Sequence, residues 1–307
     1  METISYPTFT IPTYKCCSMI LTFDDIEEIL GGPRIAQVGI GEMEKSRHLF
    51  EELQVNWLFS PAGWPVYASG SNPGIPESEQ IFQFDVNHKR MQFANSTGRS
   101  SMTYSEMVEL ISAARTPEIS LAALPVEQGD SDPTSTKSGK TKRRLNRQTQ
   151  SLDGCIAAIQ RSEGKCKFVV SQLQSFPADC HEKIYKKRFV QIGHSSDLES
   201  VLRQIKQYLE ADDVDVIETD FPFLAAKMGM LFNSEFQLED LTQSEFFSNN
   251  DPVFTSNEDL PRLVREAGLH TKSYIHHLFR CDELSGPIML ACINLYQLDK
   301  LFRKYVR

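Results

Sequence analysis

The chain has 307 residues, 40% hydrophobic and 24% charged, with a formal net charge of −9. That is ordinary globular composition, enough for one large domain or two smaller ones, and its acidic balance excludes a whole-surface nucleic-acid binder, so any RNA contact has to come from a local patch or a partner. No apolar run reaches the roughly eighteen residues of a membrane-spanning helix, and METISYPTFTIP has no basic stretch ahead of an apolar core, so no secretory signal is expected. Seven cysteines without a CxxC pair read as reduced thiols of a cytosolic protein.

In chain order, Ser5 to Tyr14 alternates in part and is cut by Pro7 and Pro12, which predicts an edge strand. Thr22 or Asp24 caps a helix to Leu30, stopped by Gly31-Gly32-Pro33. Ile35 to Ile40 reads as a buried strand, Glu42 to Leu53 as a helix and Asn56 to Phe59 as a strand. Ser60 to Glu79, rich in proline and glycine, reads as a long loop. Ile81 to Phe93 reads as a hairpin with Asn87-His88 at its turn. Thr103-Tyr-Ser-Glu106 is a capping-box pattern, and its helix runs to about Arg115. Ile119 to Leu124 is an apolar strand, and a mobile polar linker occupies about 127–141.

The one strongly basic run is KTKRRLNR, from Lys140 to Arg147. It reads either as a solvated face or as a phosphate contact made by Lys142, Arg143, Arg144 and Arg147. Strands follow at Lys167 to Val170 and Phe189 to Ile192. A helix opens after His194, with Ser195 or Ser196 as cap, and runs through Tyr208. Val214 to Ile217 is the next strand, with Glu218-Thr219-Asp220-Phe221-Pro222 at its C-terminal end. Strand, helix and strand in this order make a βαβ unit and hence a parallel sheet.

His270 to Arg307 reads as a helical hairpin. Tyr274, Leu278 and Cys281 recur at helical steps, Glu283 to Gly286 break the run, and Pro287 suits a first turn. Ile288, Ala291, Leu295, Leu298, Phe302 and Tyr305 give the second helix an apolar stripe. Lys300, Arg303, Lys304 and Arg307 lie near its end, where cations oppose the dipole favourably.

The same residues carry a resemblance. The order H-T-x-x-Y-I-H-H-L, then E-L, then I-N-L stands here as His270, Thr271, Tyr274, Ile275, His276, His277, Leu278, Glu283, Leu284 and Asn294. It is similar to the end of the queuine tRNA-ribosyltransferases, and among them to the accessory, non-catalytic subunit 2. A basic helix followed by L-D-x-C in that family resembles Lys142, Arg143, Arg144 and Arg147, then Leu152, Asp153 and Cys155. A V-D strand with a carboxylate before proline resembles Val214, Asp215 and Pro222.

The resemblance implies an α/β fold: a (β/α)₈ TIM-type barrel over 1–257, with active-site chemistry at the C-terminal ends of strands. A C-terminal helical subdomain over 258–307 follows. Only eighteen residues separate Val170 from Phe189, where the family places a further strand and helix. The barrel expected is therefore incomplete or irregular on that side.

A base-exchanging transglycosylase needs a carboxylate nucleophile for the ribose C1′, a second carboxylate as acid/base, and polar groups that read the flipped-out base. By the resemblance, Glu218 stands where catalytic members have the nucleophilic Asp, and it is one methylene longer. Pro125 falls near the base-reading Asp, and the Asp-Ser-Gly-Gly-Phe-Gln motif is absent. No catalytic role is therefore expected. The family's zinc ligands are a Cys-x-Cys-x-x-Cys run and a His. Glu258 to Leu269 contains no cysteine, the His position is Ile293, and Cys281 and Cys292 are not at ligand spacing. No zinc and no other cofactor is expected. Adjacent His276 and His277 on one helix point about 100° apart and rarely share an ion. With Tyr274 and Phe279 they are expected on a partly free face that meets a partner.

The resemblance thus implies a heterodimer with a catalytic queuine tRNA-ribosyltransferase subunit, reaching tRNA through the complex. It further implies a cytoplasmic protein, peripheral at the mitochondrial outer membrane as in related subunits. The alternative is an autonomous barrel enzyme on a small substrate, using Glu218, Asp220 and His194; a third reading is a non-enzymatic relic without a tRNA role.

Overall fold

The computed structural model of the chain describes residues 7–14, 17–18, 20–48, 64, 66–69, 82–85, 90–95, 97–113, 120–122, 189–192, 197–212, 214–254 and 259–306. The chain divides into two compact units. One comprises Met1–Pro12, Cys17–Ile35 and Ile192–Arg307, the other Thr13–Cys16 and Ala36–Gln191.

The first unit opens with β1 (Thr8–Tyr14), β2 (Cys17–Ser18) and α1 (Phe23–Leu30). β1 is not the edge strand that its prolines suggest. It pairs with β2 and with a strand some two hundred residues later, and Thr8 to Ile11 are all buried. Pro7 precedes the first strand residue, so only Pro12 removes a donor from the ladder. Of the two caps the sequence allows for α1, Thr22 is the one used, and Asp24 lies in the first turn. Thr22 Oγ1 accepts from Asp25 N at 3.1 Å, and the Asp25 carboxylate accepts back from Thr22 N at 3.1 Å. Gly31, at φ 68, ends the helix in the left-handed conformation that glycine takes without strain. Ile26, Ile29 and Leu30 form the buried face.

The second unit takes up β3 (Ile35–Gly39) from Ala36 onward. It continues with α2 (Ile40–Lys45), β4 (Val66–Ser69), β5 (Phe82–Asp85), β6 (Arg90–Asn95) and β7 (Gly98–Met102), then α3 (Tyr104–Ala113) and β8 (Ser120–Ala122). β3, β4 and β8 run parallel, with Ala36 opposite Val66 and Val66 opposite Ser120. β4 corrects the reading of 60–79 as loop throughout. Its four residues lie between Pro65 and Gly70, too short a run to outweigh those breakers by local propensity. β5 and β6 form the expected hairpin, Asp85 facing Arg90, and β7 extends it to an antiparallel meander. Met91 and Phe93 are buried while Gln92 is exposed, the alternation of a sheet with one wet face. α3 has its capping box. Thr103 N donates to Glu106 Oε2 at 2.6 Å and Glu106 N to Thr103 Oγ1 at 3.2 Å. The backbone donor at Thr103 holds the Glu106 carboxyl below its usual range. Asn56–Phe59, Lys167–Val170 and the 127–141 linker lie outside the described residues.

After β9 (Phe189–Gln191) come α4 (Leu198–Ala211), β10 (Val216–Glu218), α5 (Phe221–Lys227), β11 (Met230–Phe232) and β12 (Leu238–Asp240). A 3₁₀ turn (Ser244–Ser248), α6 (Arg262–Gly268), α7 (Lys272–Arg280) and α8 (Ser285–Arg303) complete the first unit. The N-cap of α4 is Asp197 rather than either serine: its Oδ1 accepts from Ser200 N at 3.0 Å. β1 runs parallel to β10, Thr8 opposite Val216. Gly229, at φ 76, joins α5 to β11 where a Cβ would collide with the Thr242 methyl, so only glycine passes.

α8 organises this unit. The expected stripe is wider than predicted: the helix is buried almost all round from Leu290 to Phe302. It packs on α1, α5, α6, α7 and β11, which together leave few of its positions wet. Phe302 meets Phe9 of β1 at 5.0 Å between ring centroids. Asp299 accepts from Arg34 at 2.7 Å and from Arg303 at 2.6 Å, and both guanidiniums also donate to the Leu30 carbonyl at the end of α1.

The parallel pairs β1–β10, β3–β4 and β4–β8 make the fold α/β. Barrel closure is not traced among the described residues. No helix among them is long and apolar enough to cross a membrane.

Candidate functional site

β10 delivers Glu218 to a strand–turn–helix junction. Ile192 N donates to the Glu218 carbonyl at 3.0 Å. Thr219 Oγ1 accepts from Phe221 N at 3.2 Å, and the Asp220 carbonyl accepts from Phe223 N and Leu224 N at 3.0 Å. Pro222 sits in the first turn of α5, where its missing N–H costs nothing. The two carboxylates are not solvated. Glu218 is 2% exposed and Asp220 6%. His194, the third member of the alternative enzyme reading, lies outside the described residues, as do Pro125, Lys142, Arg143, Arg144 and Arg147.

The second candidate surface is α7. Thr271 caps it, Oγ1 accepting from Tyr274 N at 3.1 Å. Lys272 Nζ donates to Glu239 Oε2 at 2.5 Å, and Asn233 Nδ2 donates to Glu239 Oε1 at 2.8 Å. Burial alone would raise the Glu239 carboxyl, but these donors outweigh it and hold the group below its usual range. The four residues expected on a free face separate. Tyr274 is 40% exposed and stacks on His270 at 4.8 Å. His277 is exposed. Phe279 is half-buried, within about 3.5 Å of where side chains on Gly229 and Gly286 would start. His276 is a correction: it is 5% exposed, with Nδ1 2.9 Å from the Leu241 carbonyl. The ring turns inward because that carbonyl, which follows β12, needs a donor, and Nδ1–H supplies it. Phe247, on the 3₁₀ turn, is a surface aromatic that periodicity missed. It is 73% exposed, lies edge-on to His276 at 6.3 Å, and its carbonyl accepts from Ser273 Oγ at 2.7 Å. Its short, polar setting, Ser244-Glu-Phe-Phe-Ser248, has no repeat to read.

The donor set does not fit a closed zinc site of the family kind. Ile293, where the resemblance puts the family's His, is apolar and wholly buried in α8, and Arg262–Gly268 is a helix without a thiol. Among the described residues no three His, Cys, Asp or Glu side chains gather closely enough to hold an ion. Cys292 is buried, and desolvation pushes its thiol up to about 12, which makes it inert. Asn294, next to Ile293, has a structural task. Its Oδ1 accepts from Phe232 N at 2.7 Å, and its Nδ2 donates to Met230 O at 2.9 Å. The motif residue thus braces β11 against α8.

Residues 209–306, from the end of α4 through α8, match the family model described as Queuine tRNA-ribosyltransferase. Two queuine tRNA-ribosyltransferase-like proteins of Plasmodium falciparum are 28% identical over 144 residues, 39% of this chain and 57% and 34% of theirs. Queuine tRNA-ribosyltransferase accessory subunit 2 of Drosophila melanogaster is 27% identical over 96 residues, 30% of this chain and 22% of that protein. The resemblance read from the C-terminal motifs is borne out, and the matched stretch spans about half or less of these relatives' length.

Proposed function

We propose that this chain is the non-catalytic subunit of a heterodimeric queuine tRNA-ribosyltransferase. It supports exchange of guanine for queuine at the wobble position of tRNAs with GUN anticodons. The observation that carries the reading is Glu218. By the resemblance it stands at the family's nucleophile position, at the end of a strand that leads into a helix, yet it is a glutamate and 2% exposed. A nucleophile has to be held at attack distance from C1′ with its oxygen open. A carboxylate covered to this degree is not open in that way.

The same reading assigns the partner and the RNA. The open side of α7, with Tyr274 and His277 outermost and Phe279 and His276 supporting from beneath, meets the catalytic subunit. Lys142, Arg143, Arg144 and Arg147 neutralise tRNA phosphates in the complex. The chain keeps the family's (β/α) barrel plan up to about residue 257, irregular on one side, and a C-terminal helical subdomain without structural zinc. It works in the cytoplasm, including at the surface of the mitochondrial outer membrane.

Base exchange on anticodon-loop RNA tests this, with the chain alone, the catalytic subunit alone, and both. The expected result is no exchange by the chain alone and faster exchange by the pair than by the catalytic subunit. Guanine release by the isolated chain, abolished by Glu218→Gln, would overturn the proposal.

A further inference from the structure

In a zinc site of the family kind, thiolates ahead of His270 and a histidine at position 293 would share one ion and so tie α6 to α8. Here α6 has no thiol and position 293 is a buried isoleucine. Seven residues are also too few to hold a helix by themselves, so α6 depends on what touches it.

Its middle and its end meet apolar partners. Val264 is 0% exposed and Ala267 5%, and the helix packs on α8 and α1. A side chain on Gly268 would start 3.1 Å from Phe254, whose ring meets Tyr296 of α8 at 6.1 Å between centroids. The start of α6 is different. Its N-cap, Pro261, makes no side-chain hydrogen bond to the first turn. A carboxylate from 235 residues earlier does so: Glu28 Oε1 accepts from Leu263 N at 3.1 Å. Glu28 Oε2 accepts from Arg262 Nη2 at 3.0 Å. An acceptor there satisfies a donor the helix cannot pair, and its charge suits the positive end of the dipole. Glu28 stands on α1, whose last carbonyl, Leu30 O, accepts from Arg303 of α8 at 2.9 Å. α1 therefore reaches both helices that the ion would have joined.

We propose that Glu28 is the cap of α6, supplied from another helix, and that through it α1 takes the place of the family's metal. The C-terminal helices then hold together without an ion, and residues 258–307 depend on the N-terminal α1 for their docking. The inference rests on the zinc-free subdomain of the reading above and is independent of what the subunit does with tRNA.

The test is hydrogen exchange of the full chain, resolved to Leu263 within 259–272, with and without EDTA. EDTA should alter neither that exchange nor the melting temperature. Glu28→Ala should speed exchange at Leu263 about fivefold or more, the usual consequence of losing a cap. Glu28→Gln keeps an oxygen that can accept and should speed it by no more than about twofold. Glu266→Ala, which removes only the other carboxylate on Arg262, should leave it unaltered. Circular dichroism checks that the variants fold. Faster exchange across 259–272 in EDTA means that an ion pins these helices, and it overturns both the inference and the zinc-free subdomain. Exchange at Leu263 unmoved by Glu28→Ala, or raised equally by Glu28→Gln, overturns the cap alone.

Discussion

Replacing Asn294 by alanine should cost more than any surface change on α8. The side chain is 0% exposed and makes two short bonds to the backbone of β11. Alanine leaves the Phe232 N–H without a partner where water does not reach, at about 1–3 kcal/mol. The Met230 carbonyl is only partly shielded and adds less. The sum is about 2–4 kcal/mol, a large part of the roughly 5–15 kcal/mol that holds a typical protein folded. Asn294→Asp keeps the acceptor for Phe232 but removes the donor and buries a charge, so it should do no better. Urea denaturation followed by circular dichroism gives the stability change. Hydrogen exchange of a peptide spanning 229–240 should show faster exchange at Phe232. If Asn294→Ala shifts stability by less than about 0.5 kcal/mol and leaves that exchange unaltered, the brace is not what holds β11 to α8.

Asp299→Ala should destabilise by about 2–3 kcal/mol, because Arg34 stays part-buried without its carboxylate, and the thermal midpoint measures this. Glu239 is held below its usual range, so its contribution is present above about pH 4.5 and is lost as pH falls through the lower folded value. Glu239→Gln should therefore flatten the fall in melting temperature across that acid window. Changing Lys142, Arg143, Arg144 and Arg147 together to Gln should weaken tRNA binding and make the salt dependence shallower, by about 0.7–0.9 of slope for each phosphate no longer neutralised; unaltered affinity and slope would make the run a solvated face. Tyr274→Ala should weaken pairing at least roughly tenfold with little change in melting temperature. Phe279→Ala, packed at Gly229 and Gly286, should instead melt earlier. A Tyr274→Ala variant that still pairs fully removes Tyr274 from the interface.

Elements written in local chemistry are legible from the sequence. Thr22 with Asp25, and Thr103 with Glu106, specify their helix starts within four residues, and the hairpin at Arg90 and the break before α8 are equally local. What escapes depends on distant neighbours. β1 becomes an interior strand only because Val216 and Ile217 arrive beside Thr8 and Phe9. β7, Gly98-Arg-Ser-Ser-Met102, has little strand propensity and exists through its register with β6. Helical spacing puts His276 outside, but Leu241 O, thirty-five residues earlier, draws it in. At the candidate site the position of Glu218 at a strand end is readable, whereas its burial is not. Burial follows from what packs around a junction, and no periodicity in Glu-Thr-Asp-Phe-Pro records that.

The first unit is assembled from stretches on both sides of the second. Its β1 strand cannot find β10, nor Phe9 find Phe302, until synthesis has passed through the whole second unit. At about 5–20 residues per second, the roughly 290 residues between those two rings take on the order of 15 to 60 s to make. The second unit's β3, β4 and β8 are all synthesised inside that interval, so it is free to fold first. Through that wait Phe9, later buried against Phe302, is without the helix that covers it. A chain cut after the second unit but before α8 would carry that unit whole and leave β1 as a sticky apolar strand. Premature termination in the C-terminal third should therefore produce an aggregating chain rather than a shortened working one.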